Sequence, residues 1–209
     1  MDDEADRIIG LYERHAASFD VDRRRNSMER PWLDRFLSLM APGGSILDLG
    51  CGMGEPIARY FIRAGYQVTG VDSSAAMIAL CQSRFPQACW VVADMRGLSI
   101  AQTFGIIAWD SFFHLRPDDQ RAMFPVFRGH AAPRAALMFT SGARAGAAIG
   151  TYQEEPLYHA SLDPAEYRAQ LAAHGFSVLS YVPEDPACGH HTIWLARLSV
   201  ASLLSTRKA

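Results

Sequence analysis

The chain has 209 residues, 49% hydrophobic and 20% charged, with a formal net charge of −2, a composition that suits one globular domain with a full core. No apolar run approaches the length of a bilayer span, and the acidic start Met1-Asp2-Asp3-Glu4 is unlike a signal peptide, so a cytoplasmic protein without a membrane partner is expected. The charge balance lacks the basic surplus of a phosphate-backbone binder, so nucleic acid is not expected as a partner, and the sole lysine, Lys208, leaves none for Schiff-base chemistry or a phosphate loop.

Ile8, Ile9, Tyr12 and Ala16 share one helical face, and Trp32, Leu33, Phe36, Leu37 and Met40 another. The first forty residues therefore predict two helices, with a charged loop at 20–25 and a stop at Pro42-Gly43-Gly44. Ile46-Leu47-Asp48-Leu49 is a short apolar strand that runs into Gly50-Cys51-Gly52-Met53-Gly54. Glu55-Pro56 then opens a helix carrying Ile57, Ala58, Phe61 and Ile62. Further strands are expected at 66–71, 89–93, 105–109 and 135–140. Helices are expected at 75–84, after a serine cap, and at 118–130. Apolar strands alternating with amphipathic helices indicate a parallel sheet covered on both faces. Asp163-Pro164 starts a last helix that ends near His174-Gly175, and 176–182 with 192–198 follow as an antiparallel hairpin. The last few residues read as disordered.

Glycines at 50, 52 and 54 let the backbone approach a ligand closely and adopt positive φ, and the next helix aims its amide N–H groups at the same spot. Asp72 stands at the tip of the second strand, the position from which a carboxylate accepts hydrogen bonds from ribose hydroxyls. A tight turn with a helix cap is the plainer alternative, but the paired acidic strand ends speak against it. A dinucleotide oxidoreductase competes, yet the spacing is G-x-G-x-G and not G-x-G-x-x-G. Asp48 beside the ligand also suits a cation better than a pyrophosphate. Cys51, Cys81, Cys89 and Cys188 form no CxxC pair, so no metal or iron–sulfur site is expected and they read as small buried residues.

Residues 46–54, ILDLGCGMG, resemble the first motif of class I S-adenosylmethionine-dependent methyltransferases. Gly70-Val71-Asp72-Ser73-Ser74 resembles their second motif and Ala93-Asp94-Met95 their third, and the likeness runs from Tyr12 to near Leu198. It implies an α/β Rossmann-like, doubly wound seven-stranded sheet of order 3-2-1-4-5-7-6, the last strand antiparallel, with an N-terminal helical cap. The single domain would divide into a cap at 1–42, a cofactor-binding core at 43–141, an acceptor lid at 142–161 and a final helix and hairpin at 162–199. By the same likeness S-adenosyl-L-methionine is the cofactor and leaves as S-adenosyl-L-homocysteine. Asp48 and the turn residues Gly50, Cys51, Gly52 and Gly54 would face its methionine part, Asp72 the ribose, and Asp94 with Met95 the adenine. Ser73, Met77 and Trp109 complete the expected cofactor set. Two departures stand out. Gly105 replaces the aspartate many relatives carry before the fourth strand, and Asp110-Ser111-Phe112-Phe113 lacks the prolines of enzymes that methylate amino groups of nucleic-acid bases.

The segment 109–115 follows the fourth strand at the carboxyl edge, where open α/β sheets bind ligands. His114 is the candidate base for an acceptor proton and Asp110 the second choice. The alternative for His114 is a hydrogen bond to a backbone carbonyl, and for Trp109, Phe112 and Phe113 a place in the core. Residues 141–158 are rich in glycine and alanine. They read as a lid, with Arg144, Tyr158 and His159 as candidate acceptor contacts beside Tyr12 and Phe19 of the N-terminal helix, or else as a plain surface loop. His190 and His191, adjacent on a strand, point to opposite faces and do not make a metal pair. His15, His130 and His174 are expected to be solvated. The expected reaction is methyl transfer to O, N or S of a small-molecule acceptor. The rivals are an NAD(P)-dependent oxidoreductase and an inactive S-adenosylmethionine-binding module. A homodimer remains open.

Overall fold

The computed structural model describes residues 2–23 and 28–199. In chain order the strands are β1 (Ser45–Leu49), β2 (Gln67–Asp72), β3 (Cys89–Val92), β4 (Thr103–Ala108), β5 (Ala131–Ser141), β6 (Gly146–Tyr152), β7 (Glu155–Ser161), β8 (Phe176–Asp185) and β9 (His191–Leu198). The helices are α1 (Asp2–Arg14), α2 (Ala16–Asp22), α3 (Arg30–Leu37), α4 (Ile57–Arg63), α5 (Ala75–Arg84), α6 (Pro117–His130) and α7 (Pro164–Ala173). Seven strands form one sheet in the order β3-β2-β1-β4-β5-β9-β8, and β6 pairs with β7 outside it. Strands β1 to β5 run parallel, and β9 is antiparallel to both its neighbours. With the separate hairpin set aside, this is the expected order.

The alternation of a strand sorts the core into two layers. In β1, Leu47 and Leu49 face a cluster with Phe112, Phe124 and Phe139, whereas Ile46 faces Trp32, Phe36 and Phe61 on the other side. In β4, Ile106 and Ala108 join the first layer and Ile107 the second. Each large side chain buried this way contributes about 1.5–3 kcal/mol, so an apolar strand is at its most stable in the middle of the sheet. Gly105 has a packing reason. A Cβ there would lie 2.6 Å from Met40 Sδ and 2.8 Å from Phe36 Cζ, so glycine lets α3 and the turn after it sit against the sheet.

Several expectations change. The N-terminal segment holds three helices, not two, and α2 continues through residues 20–22, where a loop was expected; residues 24 and 25 lie outside the described set. The expected disorder at the end of the chain likewise falls at 200–209, outside it. Helix α3 ends at Leu37, and Met40 packs from a turn. The glycine-rich stretch is an ordered hairpin, closed by Gln153 and Glu154 at φ +50° and +63°. Two successive left-handed residues match strand twist, but the usual Asn-Gly signature is absent. Cys89 is exposed, unlike the other three cysteines. His130 is buried, accepting from Ile100 N at 3.1 Å and bonded to Val126 O at 2.8 Å. His15 pairs with Glu155, and His174 bonds Gln170 O and stacks on Phe124, so neither is merely solvated.

Candidate cofactor and acceptor site

The cleft opens at the carboxyl edge of the sheet, where β1 passes into the 50–54 turn. Gly50, Gly52 and Gly54 take φ of +70°, +54° and +81°, the left-handed region in which only glycine is unstrained. A Cβ on Gly50 would overlap Ser111, whose hydroxyl donates to Leu49 O at 2.6 Å. A Cβ on Gly52 would instead make only ordinary contact, meeting nothing nearer than Phe19 Cε1 at 3.8 Å. Gly54 is hemmed by Phe85 and Cys81. Cys51 and Cys81 are both buried and direct their thiols at Gly52 O, which pins the turn from behind.

Asp72, at the end of β2, accepts from Gly52 N and from Ser74 N, both at 2.9 Å. Ser74 caps α5 by accepting from Met77 N, and its hydroxyl donates to Glu13 on α1 at 2.6 Å. Ser73 donates to Ala93 O at 3.3 Å, and Met77 is buried against Met53 and Ala16. Asp48 is 2% exposed, and its Oδ2 has no hydrogen-bond partner. Burial, and secondarily the charge of Asp72, push its carboxyl up to about 7. Burial also raises Asp72, against the N–H groups that favour its ionised form. Two carboxylates thus share a cleft wall, one with an oxygen left over.

At the other end of the cleft, Asp94 caps a short helical turn and is gripped by Arg96, whose Nη2 donates at 2.6 Å; this holds Asp94 below its usual range. Arg96 also reaches Asp119 at 2.9 Å, and Met95 lies on the side of Gly50. The Asp94 carboxylate therefore enters any ligand contact already paired. The roof is α1 and α2, which bring Ile9, Tyr12, Phe19 and Arg23 over the opening. The cleft contains about 1100 Å³ of empty space including its mouth.

The 109–115 segment divides between site and core. Trp109 lines the cleft with its indole Nε1 unpartnered and stacks on His191 at 5.5 Å between centroids. Phe112 is core, and Phe113 packs on His159 away from the cleft. Asp110 sits at φ +52° and pairs with His191 Nε2 at 2.8 Å and Arg23 Nη2 at 3.4 Å. Burial works against a charged His191, but the bond to Asp110 outweighs it and the pKa is raised. Arg23 also reaches the fully buried Glu29 at 3.2 Å.

His114 lines the cleft but is not an unengaged base. Its Nδ1 lies 2.7 Å from Tyr158 O and its Nε2 lies 3.0 Å from the Tyr12 hydroxyl. Burial pulls its pKa down to about 4. The expected acceptor contacts also separate. Tyr12 and Phe19 line the cleft, whereas Arg144 and His159 line a second cavity behind the hairpin. Tyr158 is buried against Ile8 and Ala160 and turns only its carbonyl to His114. Strand alternation in β7 sends residues 158 and 159 to opposite faces, so one cleft cannot receive both. Arg23 and Arg96 are not singled out by the sequence reading. His191, considered there only as half of a metal pair on one strand, pairs with Asp110, and His190 lies in the turn before β9 at φ +59°. No cluster that could hold a metal ion occurs among the described residues.

A family model described as a methyltransferase domain matches residues 46–134. Malonyl-[acyl-carrier protein] O-methyltransferase of Pseudescherichia vulneris is 31% identical over 104 residues, 50% of this chain and 41% of that protein. Trans-aconitate 2-methyltransferase of Escherichia coli O1:K1 / APEC is 37% identical over 81 residues, 38% of this chain and 32% of that protein. The chain thus spans less than half the length of these curated relatives. Among solved structures, the amino pentose methyltransferase of calicheamicin biosynthesis from Micromonospora echinaspora matches with a TM-score of 0.68 at 16% identity, over 89% of this chain and 96% of that one. Magnesium protoporphyrin IX methyltransferase from Synechocystis PCC 6803 matches with a TM-score of 0.70 at 18% identity, over 94% and 100%. At these identities the structural likeness shows a shared fold.

Proposed function

We propose that this chain, whose residues 46–134 match the model of a methyltransferase domain, is a class I methyltransferase that uses S-adenosylmethionine to methylate an O, N or S atom of a small-molecule acceptor. The observation that carries this reading is the unpartnered oxygen of buried Asp48, beside a glycine turn whose Gly52 N is tied to Asp72. A buried carboxylate lacking a partner is costly unless a cation arrives, and the cofactor brings an ammonium and a sulfonium. Gly52 supplies the room for close approach, because its missing side chain would point into the cleft. The residues present therefore fit this group.

The bound cofactor supplies an electrophilic methyl on sulfur. The chain's own residues do the rest. Asp48 and the turn hold the positive end, Asp72 accepts from ribose hydroxyls, and Asp94 with Met95 and Arg96 bound the adenine end. The roof of α1 and α2 would exclude water and hold the acceptor beside the cofactor, an arrangement in which positioning supplies most of the acceleration. Relatives named for acceptors as different as malonyl-acyl-carrier protein and trans-aconitate match over stretches of 104 and 81 residues. Acceptor choice falls to the residues that line the cleft from its roof, Tyr12, Phe19 and Arg23, with His191 behind Asp110.

Calorimetry with S-adenosylmethionine, S-adenosylhomocysteine and NADH tests the cofactor, and release of S-adenosylhomocysteine over a metabolite library tests the reaction. Binding of the first two without NADH, together with turnover, is expected. Tight NADH binding would refute the assignment, and binding with no turnover on any compound would leave a cofactor-binding module.

A further inference from the structure

The hydrogen bonds linking β7 to the roof run in one direction. Tyr158 O can only accept, so His114 Nδ1, 2.7 Å away, carries the hydrogen. The ring is buried and no carboxylate is bonded to it, so it stays neutral; its pKa is about 4. Nε2 is then a bare lone pair, and the Tyr12 hydroxyl at 3.0 Å donates to it. Tyr12 lines the cleft with that donor already spent, and its oxygen can offer only lone pairs to a ligand.

The charges around this oxygen have the same preference. Asp72 and Asp110 lie close enough to act on the Tyr12 hydroxyl, and burial with these two charges keeps it protonated. Arg23, the cation that acts on this hydroxyl, is committed to Glu29 and Asp110.

We infer that Tyr12 reads the acceptor, taking a hydrogen bond from a nucleophile that enters carrying its proton, an alcohol, phenol or amine, and turning away an ionised carboxylate. Lone pairs facing an anionic oxygen repel, with no proton between them, and desolvation makes that mismatch expensive. His114 acts through Tyr12, as the residue that fixes which way the hydroxyl points. This inference rests on the methyltransferase reading above.

The test uses the full chain with S-adenosylhomocysteine bound and ¹⁵N-labelled histidine. The expected spectrum shows His114 protonated at Nδ1 alone, with the Nε2 resonance moving to that of an unbonded nitrogen in Tyr12→Phe. That pattern fixes the direction of the bond, and the acceptor preference, which a merely structural tyrosine would leave unmoved, tests its role. In parallel, S-adenosylhomocysteine release is measured over a library sorted into hydroxyl or amine compounds and acids lacking both. Turnover confined to the first group is expected. Tyr12→Phe should lower its kcat/KM by about tenfold to a hundredfold, the scale of one lost hydrogen bond in a desolvated site, with cofactor affinity held within about threefold. A proton on Nε2, equal turnover of simple carboxylates, a cofactor affinity that collapses in Tyr12→Phe, or no turnover of any hydroxyl or amine compound would each overturn it. Failure of the underlying reading shows differently, as absent binding of S-adenosylhomocysteine to the wild type.

Discussion

A side chain added at Gly50 and one added at Gly52 should have opposite consequences. Ala at 50 would strike Ser111, which ties the turn to β1 through Leu49 O, so Gly50→Ala should destabilise the fold by about 1–3 kcal/mol and lower the thermal midpoint. At 52 a Cβ makes only van der Waals contact with Phe19, so Val there chiefly bears the strain of a left-handed φ, about 1–2 kcal/mol. Gly52→Val should therefore leave the circular dichroism spectrum nearly intact while abolishing S-adenosylmethionine binding in calorimetry. Asp48 makes a second contrast. Its carboxyl lies at about 7 in the fold against 3.8 for the free side chain, so the fold binds the proton more tightly than the unfolded chain does. The Asp48 contribution to stability should fall as pH rises from about 4 to about 7, against an opposite contribution from buried His114 between about 4 and 6.5. Affinity for a cationic ligand should instead rise about tenfold per pH unit until it levels above about 7. Relative to the wild type, Asp48→Asn should gain stability progressively between about pH 4 and 7 and lose the rise in affinity, as denaturation midpoints and titrations across that range can show.

At the scale of elements, the roof is held by polar tethers. Glu13 caps α5 through Ser74 Oγ and Ala76 N, Arg116 reaches Asp6, and Glu155 at the base of β7 binds both Arg14 and His15. Hydrogen bonds from Arg14 and His15 hold Glu155 down to about 2, so its tether to Arg14 is fully present above pH 4.5 and lost as pH falls toward 2. Exposed ion pairs contribute little to global stability, so Glu155→Gln should barely move the melting temperature. Amide exchange in α1 should nevertheless quicken, and higher salt should mimic the variant in the wild type. These tethers were illegible in the sequence for the same reason that the β6–β7 hairpin was. The 50–54 turn announces itself by three glycines within five residues, and β1 by a run of apolar side chains, both local signals. Strand β6, with its glycines, alanines and exposed Ile149, has no alternation to read and exists because β7 pairs with it. His114 was legible as a site residue from its place after β4, but its role depends on Tyr12 and Tyr158, which only the fold brings to it.

For the molecule as a whole, the sheet and its covering layers make the floor of the cleft, and α1 and α2 lie across its opening. That division gives the Tyr12–His114 contact a kinetic meaning. While the roof is down, His114 is buried and resists protonation to a pH of about 4; a raised roof would expose the ring and restore an ordinary value near 6.5. The proton then behaves as a ligand of the open form. As pH drops from 6.5 toward 4, the closed population should lose ground by up to about tenfold per unit, because only the open form takes up the proton. The charged groups facing the ring and Tyr12, namely Asp110, Asp72 and His159, tune this response without reversing it. A cofactor held under the roof would accordingly leave faster in mild acid, so stopped-flow release of S-adenosylhomocysteine should accelerate below pH 6. The acceleration should persist in Asp48→Asn, where the affinity slope of that carboxylate is gone, and vanish in His114→Gln. The contact that fixes the direction of one hydroxyl would also time the departure of the spent cofactor.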